Sequence, residues 1–221
     1  MTDRSLPQPT RIRPITYLGL FIALFGMLIS RQFVNYCWPH PTVTSAIAKE
    51  VGMWLVAILL IVIIKLGEGL PLSSVGFTTA RLRKSLLWGL LIFVICMVVA
   101  GVLVALTHFN GGESGKAMGA LPLWLTTCIV IRAGVVEELC YRGYAIERLH
   151  ALGLPRNVAA IVPLIIFGIG HWTGGWANIV IALALGGILA AFYLWKRDLL
   201  ANVFGHFLVD FFANVLPKLF A

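Results

Sequence analysis

The sequence predicts an all-α fold: a polytopic transmembrane helical bundle of about seven spans, the fifth of them short and irregular. Three observations carry this. Of the 221 residues, 60% are hydrophobic and 12% charged, whereas a soluble domain is about half apolar and a quarter charged. The mean hydropathy is +0.94. The apolar residues gather into runs at about 15–36, 47–66, 85–107, 121–146, 157–173, 177–195 and 199–216, most of them near the roughly 20 residues a spanning helix needs.

The elements follow in order. Residues 1–14, with Pro7, Pro9 and Pro14, read as a flexible cytoplasmic arm. The first run is too long for a signal-peptide core and reads as a retained anchor. Residues 15–120 then form an N-terminal group of transmembrane helices and 121–221 a second group. Residues 67–84 make the longest basic connector, whose mix of apolar and basic side chains allows a helix lying on the membrane. Residues 108–120 are Gly-rich. The fifth run carries Pro163, Gly168 and Gly170, so irregular backbone is expected there, tolerable only inside protein.

The net charge of +8 would suggest nucleic acid in a soluble protein. Here the basic residues sit between spans: Arg4, Arg11 and Arg13 before the first, Lys65, Arg81, Arg83 and Lys84 after the second, Arg148 and Arg156 after the fourth, Lys196 and Arg197 after the sixth. Every second loop is basic, as the positive-inside rule requires. This predicts an integral membrane protein with its N-terminus in the cytoplasm and its C-terminus outside, in contact with lipid and not with nucleic acid. Cys37, Cys96, Cys128 and Cys140 have neither zinc-site nor disulfide-framework spacing. Gly111 to Lys116 only superficially resembles a phosphate loop, since Asn110 and Ala117 stand where Gly and Ser or Thr are needed. Cys140, in an apolar helix, reads as packing.

Seven ionisable groups interrupt the oil of the last four runs. Six fall into three clusters: Glu137, Glu138 and Arg142; His171, four residues after Phe167; and His206 with Asp210. Such groups are costly in a bilayer unless paired or facing a polar cavity, so three clusters on three helices predict one shared site. Glu138 and Arg142, four apart, share a helix face and pair. Glu137 is turned by about 100° and is expected to stand free as a general base, with Tyr141 steadying it. Asp210 either fixes the tautomer of His206 or lines the cavity beside it. The seventh group, Arg132, pairs with a carboxylate or with backbone carbonyls and is assigned no role. Helix rise places Glu137 about 16 Å, His206 about 10 Å and His171 about 22 Å above the cytoplasmic ends of their helices, depths that meet only if the fifth segment bends.

In this order, E-E-x-x-x-R, F-x-x-x-H and H-x-x-x-D on successive membrane helices resemble the CPBP family of CAAX prenyl endopeptidases and bacteriocin-processing or immunity proteins, also called Abi. The likeness covers roughly residues 121–215, including Gly186-Gly187-Ile188-Leu189 through Tyr193-Leu194 as a linking helix; residues 1–120 add little. It implies an intramembrane endopeptidase of a bacterial inner membrane, acting near the cytoplasmic half of the bilayer on a membrane-associated peptide, prenylated in the CAAX branch. It implies catalytic roles for Glu137 (activating water), His171 (positioning it), and His206 and Asp210 (stabilising the oxyanion), with Glu138 and Arg142 as structural support. The implied enzyme is glutamate-dependent and needs no cofactor. The alternative is a zinc ion on Glu137, His171 and His206, two His and a carboxylate with an open position, though no His-Glu-x-x-His helix is present. The family's eukaryotic members carry Asn where Asp210 stands. A non-catalytic immunity or scaffold protein of the same fold is the competing function. An ion carrier gains nothing from the motif order, and no inverted repeat is visible.

Overall fold

The computed structural model describes residues 12–220, and among them every regular element is helical. The expected arm lies almost wholly outside the described residues. Seven rods follow the seven apolar runs: α1 (Pro14–Cys37), α2 (Val43–Val62, continued by a π-turn to Gly67), α3 (Leu82–Thr107), a fourth rod, α7 (Arg156–Gly170), α8 (Trp176–Lys196) and α9 (Leu199–Asp210, continued to Leu219). The fourth rod is continuous but changes pitch. It is α-helical over α5 (Leu123–Arg132), π-helical over Ala133–Ile146, and α-helical again over α6 (Glu147–Ala151). A short α4 (Gly112–Gly119) lies in the loop before it.

Five rods are long and apolar enough to cross a membrane: α1, α2, α3, α8 and the α9 rod. The α5–α6 rod is long enough, but Arg132, Glu137, Glu138 and Arg142 stand at its middle. At 15 residues, α7 falls short of the roughly 20 needed for a crossing. It is regular throughout, with Pro163 inside it, and the irregular backbone comes after it, in the turn Trp172–Gly174 and at Gly175 (φ 84°). Phe21, Leu55, Leu87 and Val98 are among the many large side chains left exposed on α1–α3. Lipid is the solvent that accepts such a surface, and the chain is an integral membrane protein.

Local signals begin and end the rods. Pro14 occupies the first position of α1, where its missing N–H costs nothing. Thr42 and Ser45 form a reciprocal capping box at the start of α2. The Asp198 carboxylate accepts from the Ala201 N–H at the start of α9 and from Ser85 Oγ of α3 (2.6 Å). Helices α3 and α9 then approach closely on small residues: a Cβ at Gly205 would lie 2.9 Å from the Gly89 carbonyl, and one at Gly89 would lie 2.8 Å from the Ala201 carbonyl. Such contacts are how helices associate where water drives nothing together. Gly205→Val is therefore expected to destabilise the detergent-purified protein by about 1–3 kcal/mol, as overpacking typically does, and so to lower its melting temperature. An unchanged melting temperature would refute the close approach.

The two ends of the bundle differ. At the end with the basic connectors, Glu68 accepts hydrogen bonds from Thr16, Tyr144 and Arg148, and Arg148 also reaches Ser74. Glu147 holds Arg197 through both oxygens. The 67–84 connector is consequently no surface helix. It makes one 3₁₀ turn, Leu72–Val75, folded beneath the bundle with Val75 fully buried, because Arg148 and Arg197 both donate to the Ser74 carbonyl. At the opposite end, Ser114 meets Thr173 and Lys218 donates to the Met118 and Leu121 carbonyls.

Candidate active site

The three clusters do converge, and the depth conflict disappears without a bend. The α5–α6 rod runs on to Ala151, which raises Glu137 to about 21 Å above its end at 1.5 Å per residue, level with His171. The α9 rod begins inside the bundle: Leu199 packs against Gly143, 3.2 Å from where a Cβ would stand, eight residues, or about 12 Å, above Ala151. That offset lifts His206 to the same level. The shared depth is near the middle of the rod, away from the end that carries the basic connectors.

Glu138 is the centre of the buried cluster, with no exposed surface. Its Oε1 accepts from Arg142 Nη1 (2.7 Å) and His206 Nδ1 (2.8 Å), and its Oε2 from Asn202 Nδ2 (3.1 Å). Arg142 completes its coordination on the Gly186 carbonyl (3.1 Å) and stacks over Phe167 (4.6 Å to the ring centre). The Glu138–Arg142 pair is thus as the spacing predicts. Of the two roles open to Asp210 the structure has the second: Asp210 lines the smaller cavity beside His206, and Glu138 fixes the tautomer. His206 Nε2 lies 3.6 Å from Asp210 Oδ2, beyond a hydrogen bond. The i, i+4 relation put Asp210 in reach, but the neighbouring helix offered a better-placed acceptor.

Glu137 does not stand free either. Arg132 Nη1 donates to its Oε1 (2.8 Å), while Nε and Nη2 of the same guanidinium hold Glu50 of α2. Five residues separate Arg132 from Glu137, and a π-helix brings such residues alongside one another. Tyr141, expected to steady Glu137, makes no hydrogen bond to a described residue and packs edge-on against Phe167. The second oxygen of Glu137 accepts nothing from the described residues. The side chain keeps 15% of its surface.

That surface faces a cavity of about 250 Å³ lined by Glu137, Arg132, Arg31, Tyr141, Phe167 and His171, among others. A second cavity, of about 120 Å³, is lined by His171, Phe167, His206, Asp210 and Asn178. Phe167, His171 and Asn178 are common to both, so the two cavities adjoin at these residues, with Glu137 on one side and His206 and Asp210 on the other. His171 Nδ1 donates to the Phe167 carbonyl (2.8 Å), because a carbonyl only accepts. Its Nε2 is left for the cavity. Asn178 Nδ2 donates to the His171 carbonyl (2.9 Å) and holds the turn in place.

Residues that the motifs do not announce complete the site: Glu50, Arg31, Asn178 and Asn202. Arg31 donates to the Gly170 carbonyl (3.0 Å) at the edge of the larger cavity. Arg31 and Glu50 lie inside the first two apolar runs and were visible as membrane-embedded charges. Asn202 precedes His206 by one helical turn. The N-terminal rods therefore add to the site, although residues 1–120 add little to the family likeness. Cys140 is buried packing. Among the described residues no three His, Cys, Asp or Glu side chains are placed to hold a metal ion, and Glu137, His171 and His206 as they stand do not form the zinc set.

The bundle of membrane helices thus encloses carboxylates and imidazoles around two internal cavities. Residues 119–212 match the model of the family described as type II CAAX prenyl endopeptidase Rce1-like. That stretch is similar to the CPBP and CAAX protease family, the one its motifs resemble. A comparison with curated proteins finds no match, and neither does one with solved structures.

Proposed function

We propose that the protein is a glutamate-dependent intramembrane endopeptidase acting on a membrane-associated peptide. The observation that carries this is the asymmetric setting of Glu137: one oxygen is fixed by Arg132, and the other opens onto a cavity that His171 also lines.

A water between Glu137 Oε2 and His171 Nε2 would be held by two acceptors, with a lone pair left for attack. Glu137 takes its proton as the water oxygen bonds to the scissile carbonyl carbon. Glu137 then passes that proton to the amide nitrogen as the C–N bond breaks, so acid and base are one residue in two steps. His206 meets the developing oxyanion through Nε2. With Nδ1 donating to Glu138, Nε2 is a donor only when the ring carries both protons, and Glu138 and Asp210 flank the ring. Glu138, Arg142 and Asn202 hold His206 and Phe167 in register. An organism that makes no prenylated proteins would supply an unmodified peptide.

Asp210 acts on the oxyanion side. Asp210→Asn is expected to keep more turnover than Asp210→Ala, since the amide keeps the size of the side chain beside His206 and can donate to the substrate. Equal loss in both variants would point to a role that needs the charge. The broad test compares the peptides found in membranes carrying the wild-type chain with those carrying Glu137→Ala. A product that disappears with the variant identifies the substrate. Full biological activity in a Glu137→Gln, His171→Ala double variant would instead favour the immunity or scaffold role.

A further inference from the structure

We propose, building on the peptidase reading, that the cavity containing Glu137 is loaded from the non-cytoplasmic face of the membrane, by a peptide segment presented there and not by a cytoplasmic C-terminal tail. The two ends of the bundle carry the argument independently of any family property.

The larger cavity is lined from mid-depth up to one end only. Glu137 and Tyr141 stand at its floor, and Ser114 of α4, Gly170 at the end of α7 and Thr173 in the turn after it stand at the end opposite the basic connectors. Thr173 is exposed there, and Trp172 and Trp176 beside it are more than half exposed, the placement aromatic rings take at a membrane–water boundary.

Below the site the path is shut. Tyr144 and Tyr193 are fully buried. Glu68 and Arg148 retain 3% of their side-chain surface each, and both are spent on one another and on Thr16, Tyr144 and Ser74. Glu147 closes the remaining gap by holding Arg197 and Tyr193. Opening that end would leave buried charges without partners, each costing several kcal/mol. The closed end is also the one that carries Arg13, Arg81, Arg83, Arg148, Arg156, Lys196 and Arg197. The positive-inside rule assigns it to the cytoplasm, so the open end faces outward.

Thiol accessibility tests this without using activity. The exposed Cys37 and Cys128 are first replaced by Ser in the full chain. Glu137→Cys, Thr173→Cys and Ser73→Cys are then made separately and treated with a small membrane-impermeant methanethiosulfonate in right-side-out and in inverted vesicles. Thr173→Cys and Glu137→Cys should react in right-side-out vesicles and stay unmodified in inverted ones, and Ser73→Cys should do the reverse. Reaction of Glu137→Cys from the inverted side overturns the proposal, as does its reaction only with a lipid-permeant analogue, which would mean lateral entry. If Glu137→Cys does not accumulate, Tyr141→Cys at the same cavity floor gives the same reading. Because modification is read directly, a cytoplasmic entry would sink this inference while leaving the peptidase chemistry standing; loss of hydrolysis with outward access intact would do the opposite.

Discussion

Glu137→Gln should lower peptide hydrolysis by roughly 10²–10⁴-fold, the usual contribution of a positioned general base, while leaving the fold in place. The local wiring explains why the two effects separate. A glutamine carbonyl still accepts from Arg132 Nη1, and Arg132 keeps its contacts with both oxygens of Glu50. The guanidinium therefore retains a carboxylate partner when the charge at 137 is removed. What is lost is the oxygen that opens onto the cavity and can take a proton. Mass spectrometry of products from protein in lipid vesicles, beside a melting curve, measures both effects. Turnover near the wild-type level in a folded Glu137→Gln protein would remove Glu137 as the base.

Arg142→Met should be the most destabilising single change in the site, costing about 3–5 kcal/mol, as expected when one partner of a buried pair is deleted. Glu138 would remain wholly enclosed with only His206 and Asn202 as donors, and the Gly186 carbonyl would lose its partner. Lysine is not a substitute. Its single ammonium cannot span Glu138 and Gly186 together or stack on Phe167 as the planar guanidinium does. Removing the charge on both sides, as Arg142→Met with Glu138→Leu, should recover much of the melting temperature, because apolar replacement of a buried pair is often neutral. It should not recover activity, since His206 then loses the acceptor that orients it. If Arg142→Met melted like the wild type, the cluster would carry no stability and its role would be confined to geometry.

Much of this molecule is readable along the chain. Apolar runs of spanning length mark where the rods lie, because a bilayer accepts only segments that satisfy their own backbone. The Glu138–Arg142 pair follows from helical spacing, and the ordered motifs point to the family matched by residues 119–212. The cost of a charge in lipid also singles out the residues that meet: Glu137, His171, His206 and Asp210 all line the paired cavities.

Partner choice was not readable. Arg132 reaches Glu137 because the rod widens to a π-helix after Ala133, and a reading at α-helical pitch looks three or four residues away, not five. His206 turns to Glu138 because α9 starts deep in the bundle on Gly143, a vertical offset that no local pattern encodes. Composition and periodicity determine which segments enter the membrane and which side chains must find partners there, since both are set by transfer from water to lipid. Which partner each one finds depends on the relative heights and pitch of neighbouring rods, and only packing of the whole bundle decides those.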